Sequence, residues 1–361
     1  MDHNSADKRI KGRGSSSNLE GRFERQHSEP ADDGWYQEPN APPRPVTVVH
    51  VERARSIISS NDSPDIPFTQ SINPYRGCEH GCIYCYARPT HAYLNYSAGL
   101  DFETQLYAKA NAVELLRAAL AKRSYQPSPI NFGANTDPYQ PVERSHRLTR
   151  ALIEVLWETR HPLTIITKSC LVERDIDLLA PMAELGLVQV FISVTTLDNR
   201  LASRLEPRAS APHRRIEAIR QLHNAGIPVG VFVAPLIPML TDKDMESILE
   251  RCHAAGARSA SYTLVRLPHE VAPLFREWLE LHVPQRAAHV MSLIRQMRGG
   301  KDYDANFKTR MSGEGVFADL IRRRFELACQ RLGIERRNEE VELRTDLFRA
   351  PRPPSPQQEL F

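Results

Sequence analysis

Between residues 130 and 264 the chain repeats one alternation, a short apolar, β-branched run followed by a longer stretch of helical periodicity. The runs are Ile130-Asn131-Phe132-Gly133-Ala134, Leu163-Thr164-Ile165-Ile166-Thr167-Lys168, Val188-Gln189-Val190-Phe191-Ile192-Ser193, residues 227–234 and residues 259–264. Residues 142–159, 175–185, 212–225 and 242–255 separate them. Strands that are apolar along their length need cover on both faces, and the intervening helices supply it, so the pattern predicts βαβ units around a parallel sheet. With a further strand leading into Cys78 there are about six units. A closed barrel takes eight, so periodicity leaves an open doubly wound sheet and an incomplete barrel both standing. Gly226 and Gly256 fall where helix C-caps are expected, and Thr241 or Asp242 where the next helix begins.

Three of the six cysteines, Cys78, Cys82 and Cys85, lie in one short stretch, Asn73-Pro74-Tyr75-Arg76-Gly77-Cys78-Glu79-His80-Gly81-Cys82-Ile83-Tyr84-Cys85-Tyr86-Ala87-Arg88. Such clustering calls for a metal. Three thiolates on a [4Fe–4S] cube leave one iron open for a small molecule, and Gly77 and Gly81 let the backbone fold tightly around it. A Cys3His zinc site with His80 or His91 is the competing reading.

The spacing C-x3-C-x2-C, with an aromatic directly before the last cysteine, resembles the signature of the radical S-adenosylmethionine (SAM) superfamily. The Asn-Pro-Tyr-x-Gly-Cys lead-in and the Cys-Tyr-Ala-Arg exit resemble its branch related to spore photoproduct lyase, often labelled DNA repair photolyase. This resemblance implies a partial (β/α)6 TIM-like barrel of radical SAM type, with a [4Fe–4S] cluster at its mouth on Cys78, Cys82 and Cys85. It also implies reductive cleavage of SAM to methionine and a 5′-deoxyadenosyl radical, which abstracts hydrogen from a substrate. An external low-potential electron donor is needed.

Ligand sites of βα proteins lie at the carboxyl ends of the strands. Residues of the kinds that contact SAM recur at such ends in the lyase-like family, and the resemblance carries this over to Asn135, Thr136, Lys168 and Ser193, with the backbone around Tyr84 meeting adenine. A solvated lysine and helix-capping serine or asparagine side chains are the structural alternatives at these positions. Asp137, Tyr139 and Glu143 are expected on the substrate side, and Glu206-Pro207-Arg208, in the long loop after the fourth strand, within reach of the SAM carboxylate. Spore photoproduct lyase uses a cysteine hydrogen donor near the end of the second barrel strand. This chain has Phe132-Gly133-Ala134-Asn135-Thr136 there, and Cys170 and Cys252 read as small buried hydrophobes, so it is not expected to be that lyase itself. The reaction class stays open between lyase-like and modifying. The substrate is expected to be a nucleic-acid lesion or modification, with a peptide or small metabolite as the alternative and a zinc-binding adaptor as a third reading.

The segmentation implies a mostly disordered arm over residues 1–45, the barrel over 46–268, a helical extension over 269–340 and an extended tail over 341–361. The tail ends in Gln357-Gln358-Glu359-Leu360-Phe361, which resembles the peptide by which bacterial repair and replication proteins dock on the sliding clamp. The triplet Arg322-Arg323-Arg324 reads as a solvated helix face, or as a phosphate contact. Lysine plus arginine number 47 against 44 acids, so any nucleic-acid contact must come from a local patch. No apolar run is long enough to span a bilayer, and the cysteine spacing makes no disulfide framework. A cytoplasmic monomer is expected.

Overall fold

The computed structural model describes residues 9–19, 21–23, 45–336 and 342–351. Strands β1 (Val48–Glu52), β2 (Ile58–Ser60), β3 (Gln70–Ile72) and β4 (Tyr75–Arg76) precede β5 (Gln105–Lys109). Then come β6 (Ile130–Phe132), β7 (Leu163–Thr167), β8 (Val188–Ser193), β9 (Val229–Leu236), β10 (Ser259–Leu264) and the short β11 (Glu335–Arg336). The main sheet runs β11-β10-β9-β8-β7-β6-β3-β2, parallel from β3 to β11 with β2 antiparallel at one edge. Its six long-crossover strands, β3 and β6 to β10, are the partial (β/α)6 barrel that the resemblance implied, with β2 and β11 at the open edges.

The strands are buried as their composition requires. Leu163, Ile165, Val188, Val190, Ile192, Val229 and Val231 have no more than 3% of their surface exposed and pack with Ile219, Leu222, Ile248 and Leu249 from the helices Pro212–Asn224 and Met245–Ala254. Each such side chain contributes about 1.5–3 kcal/mol relative to solvent exposure.

Three sequence expectations shift. Residues 102–109, whose alternating pattern predicts a single strand, form the end of the helix Leu100–Thr104 followed by β5, which pairs with β1 and β4 in a separate three-stranded sheet. Residues 142–159 are two helices, Glu143–His146 and Leu148–Glu158, with Arg147 between them at φ +53°. The buried Glu143 carboxylate turns back to accept the N–H groups of Thr149 (3.0 Å) and Arg150 (3.3 Å), satisfying two free donors of the second helix. Thr241 caps no helix; its hydroxyl takes the Ile237 N–H at 2.8 Å.

The helices Val271–His282, Pro284–Gln296 and Gly315–Leu332 follow the last barrel strand. Phe275, Trp278, Leu279 and Ile294 share a core with Leu205, Ile237 and Leu240, and with Cys82, Ile83 and Tyr84 of the cysteine loop. Within Arg322-Arg323-Arg324, Arg324 pairs with Glu246 at 2.7 Å and Arg322 with Asp319 at 2.6 Å.

Part of the amino-terminal arm, expected to lack fixed structure, is packed in place. The Gly14 and Ser15 N–H groups bond the Glu103 carboxylate at 3.0 and 2.9 Å, the Ser16 and Ser17 hydroxyls bond Glu277, and Arg22 pairs with Glu270. These partners come from both the cysteine-loop side and the helical extension, and no sequence periodicity announces them. At the other end, Phe348 packs edge-on to His161, and the Arg349 N–H bonds the Thr159 carbonyl at 2.8 Å. The clamp-like residues Gln357 to Phe361 lie outside the described residues.

Candidate functional site

The three cysteines lie on the loop that follows β4, whose lead-in is β3, at the carboxyl end of the parallel strands. Cys78 and Cys82 are buried and Cys85 half-buried. Burial pushes all three thiols above their ordinary range, helped at Cys78 by Asp137 and at Cys82 by Glu206. Two buried thiols and a half-buried one gain most from a positively charged centre that takes them as thiolates, which is the donor chemistry of an iron–sulfur cluster. Each of the two histidines open to a zinc reading has one ring nitrogen engaged, and among the described residues no three His, Cys, Asp or Glu side chains are grouped to hold a single metal ion. His91 Nε2 is bonded to the Gln105 carbonyl at 2.8 Å, and His80 Nδ1 sits 3.3 Å from Asp137.

The loop is gripped on several sides. Gln140, fully buried, accepts the Glu79 N–H at 2.9 Å and donates to the Gly77 carbonyl at 3.1 Å. Asp137 accepts from the Thr167 hydroxyl (2.6 Å) and the Lys168 N–H (2.8 Å) while facing His80, so one carboxylate ties the loop to the end of β7. Burial alone would raise Asp137, but His80 and these donors outweigh it and hold the group at about 2. Across the loop, fully buried Arg88 bonds the carbonyls of Cys82 (2.9 Å), Ala98 (3.0 Å) and Gly99 (2.8 Å), and pairs with Glu103 at 2.5 Å. Gly81, at φ +66°, lies so close to the arm that a Cβ on Gly14 would stand 1.8 Å from its carbonyl oxygen.

A second buried group stands behind Tyr84. Its hydroxyl donates to Glu206, which also takes the Thr195 hydroxyl at 2.6 Å and pairs with Arg215. Burial works against the Glu206 carboxylate, yet Arg215 and Lys168 hold it at about 2, while burial and Glu206 push the Tyr84 phenol well up. Tyr84 is therefore a permanent donor and Glu206 a permanent acceptor.

The residues carried over for SAM fall into two groups. Lys168 and Tyr84 are brought together, the ammonium 6.0 Å from the ring centre, and the lysine charge is felt by Cys82 and Cys85. Ser193 closes β8 beside them, its carbonyl taking Arg215 at 3.0 Å. Asn135 and Thr136 lie at the end of β6, their N–H groups held by the Asn73 side chain at 2.9 and 3.2 Å. Asn135 is exposed and Thr136 buried.

Other expectations are corrected. In Glu206-Pro207-Arg208, Glu206 does not face a ligand carboxylate, because Arg215, Thr195 and Tyr84 occupy its oxygens, and Arg208 pairs with Glu79 at 3.0 Å. Nor do Asp137, Tyr139 and Glu143 form a substrate wall. Tyr139 and Glu143 are fully buried and Asp137 faces the cysteine loop, since the turn begun at Pro138 directs the segment inward. Sequence reasoning missed Arg88, Glu103, Gln140 and Arg215; only Arg88 carried a signal, as the last residue of the Cys-Tyr-Ala-Arg exit. Position 133 cannot take a cysteine in this backbone, for Gly133 has φ +97° and a Cβ there would stand 2.2 Å from the Ile166 carbonyl oxygen.

The radical SAM superfamily model matches residues 72–252, from β3 through the helix Met245–Ala254. The chain belongs to the radical SAM superfamily. It is 35% identical over 233 residues to the uncharacterized protein Rv2578c of Mycobacterium tuberculosis, covering 64% of this chain and 68% of that one. It is 26% identical over 239 residues to the radical SAM Nalpha-GlyT isomerase of Pseudomonas phage M6, covering 64% of this chain and 48% of the phage protein. Among solved structures, spore photoproduct lyase complexed with dinucleoside spore photoproduct superposes with a TM-score of 0.51 at 16% identity, covering 80% and 81% of the two chains. A variant of that lyase with bound AdoMet and dinucleoside spore photoproduct gives a TM-score of 0.50 at 17% identity, with the same coverage. At these identities the likeness is one of fold. This radical SAM protein is accordingly an enzyme of a family whose members use SAM and an iron–sulfur cluster, and no helix among its described residues is long and apolar enough to cross a membrane.

Proposed function

We propose that the protein holds a [4Fe–4S] cluster through Cys78, Cys82 and Cys85, binds SAM at the remaining iron, and acts on a lesion or modification in nucleic acid. The observation that carries this reading is the set of three thiols, two buried and one half-buried, on one clamped loop, at the carboxyl ends of the strands, beside Lys168 and Tyr84. When bound, the cluster supplies the electron that cleaves SAM to methionine and the 5′-deoxyadenosyl radical that takes hydrogen from substrate.

The chain's own residues bind, orient and exclude water. Lys168 offers a cation for the SAM carboxylate, Asn135, Thr136 and Ser193 offer hydrogen-bonding side chains for the ribose, and the backbone at Tyr84 meets the adenine. Glu206 and Arg215 hold the Tyr84 ring in place, while Ile83, Leu205, Ile237, Leu240 and Trp278 form an apolar floor that keeps water from the loop. Reduction comes from an external low-potential donor. A nucleic-acid substrate is favoured by the fold shared with spore photoproduct lyase, and the bond it breaks or makes follows from the substrate.

Anaerobic reconstitution tests the reading. The protein should take up about four irons and four sulfides, and with reductant and SAM should release 5′-deoxyadenosine. Replacing Cys78, Cys82 and Cys85 by alanine should abolish both. A cluster retained by that triple variant, or spectroscopy showing a fourth side chain on the iron that SAM needs, would sink it.

A further inference from the structure

The formal charge of the whole chain is only +3, so recognition of a polyanion has to be local. One spot beside the cysteine loop carries positive charge that forms no ion pair among the described residues. Arg266, two residues beyond β10, places its guanidinium 5.3 Å from the centre of the Tyr86 ring, and Tyr86 directly follows Cys85. The Tyr86 hydroxyl is tied to the Ala134 carbonyl at the end of β6, so the ring is a fixed, 45% exposed face.

Arg266 has poor partners where it stands. Its Nη atoms make two contacts at 3.5 Å, one to the Met311 sulfur and one to the Tyr303 hydroxyl, and its Nε is buried with no partner. At 3.5 Å the contact to the tyrosine oxygen is close to none, and a thioether sulfur is a weak acceptor at any distance. Behind it stands Arg298, buried, bonded only to the carbonyls of Thr309 (2.7 Å), Val265 (3.0 Å) and Leu264 (3.5 Å). Burial and Arg266 together lower Arg298 to about 10, with Asp304 and Tyr303 opposing. Neither arginine is ion-paired among the described residues, whereas Arg310 nearby is matched by Asp65 at 2.5 Å. Two adjacent guanidinium groups with no carboxylate in ion-pair contact among the described residues, and Asp304 acting on Arg298 only from a distance, are costly, and an anion from outside relieves part of that cost.

We propose that Arg266, backed by Arg298 and standing over Tyr86, is the phosphate anchor for a single-stranded segment of a nucleic-acid substrate. The proposal rests on the nucleic-acid reading of the site and names the residue that would grip the strand. A guanidinium fork beside a flat aromatic face offers both things a single strand presents, a charged backbone and unstacked bases. An acidic peptide would use the charge and leave the ring idle.

The test is fluorescence anisotropy of the full-length protein with a 5′-labelled twelve-residue oligothymidylate, across a range of salt concentrations. Wild type should bind saturably. Arg266→Ala should weaken binding roughly tenfold and flatten the slope of log K against log salt by about 0.7, the value of one phosphate contact on a single strand. Arg266→Lys should recover part of the loss. Arg123→Ala, before β6 at the opposite end of the strands, should bind as wild type, and thermal unfolding should show every variant folded. Binding by folded Arg266→Ala that matches wild type would overturn the anchor while leaving a nucleic-acid substrate in place. Wild type that ignores the oligonucleotide, whether or not it binds a glutamate-rich peptide, would overturn the anchor and the nucleic-acid reading together. The deoxyadenosine assay reports independently on the radical SAM chemistry.

Discussion

Glu206 shows how much a single buried side chain carries here. Its folded value of about 2 lies below the ordinary 4.5 because Arg215 and Lys168 outweigh the cost of burial. A depressed carboxylate stabilises the fold above its unfolded value, and that contribution is lost as pH falls through the folded one. The Glu206 contribution should therefore be level from pH 8 to 5 and decline from about pH 4.5 toward 2, with roughly 3 kcal/mol at stake from this group, beneath an earlier decline from about pH 6.5 toward 4 caused by burial of His161 and His282, both held at about 4. Urea midpoints against pH will measure it. Glu206→Gln should remove the Glu206 share of that slope and leave the share of Asp137, and at pH 7 should cost about 3–5 kcal/mol because Arg215 is left buried without its charge partner. An unchanged slope would mean that Asp137, also held at about 2, dominates acid sensitivity.

At the scale of elements, residues 135–143 act as a clamp. Sequence reading placed Asn135 and Thr136 correctly at a strand end, but treated the polar residues after them as substrate contacts. In three dimensions Asp137 and Gln140 hold the cysteine loop and Glu143 caps the helix Leu148–Glu158. Their roles were illegible because each partner lies far away in sequence, Gln140 being bonded to Glu79 and Gly77. Gln140→Leu leaves two buried backbone groups of the loop unsatisfied, which should cost about 2–4 kcal/mol. It should also speed loss of iron from reconstituted protein to a chelator. Calorimetry and chelation kinetics on the same preparation will show both, and wild-type chelation kinetics would mean that Gln140 serves stability alone.

Across the whole molecule, the arm and the helical extension close on the loop from outside. The Gly14 and Ser15 amides hold Glu103, Glu103 holds Arg88, and Arg88 holds the Cys82 carbonyl, so an amino-terminal segment reaches the cysteine loop through two buried side chains. Gly14→Ala should push the arm off Gly81, since its Cβ would overlap the Gly81 carbonyl. We expect faster oxidative bleaching of the reconstituted protein in air, read by absorbance, and faster proteolysis before residue 23, read by mass spectrometry. If both rates match wild type, the arm does not shield the loop.

Local chemistry is what the linear chain carries, and it was enough for the parallel βα architecture and the three thiols. Strand and helix periodicity follow from which side chains must leave water, and ligand spacing on one loop follows from covalent connection. Only the tertiary structure could bring Glu206 to Arg215 and Tyr84, Glu103 to the arm, and Arg266 to Tyr86, because each pairing joins residues from separate elements. Burial then determined their chemistry. A carboxylate expected to face ligand was consumed by a neighbouring arginine, while an arginine with no motif of its own was left beside the cysteine loop with no ion-pair partner among the described residues.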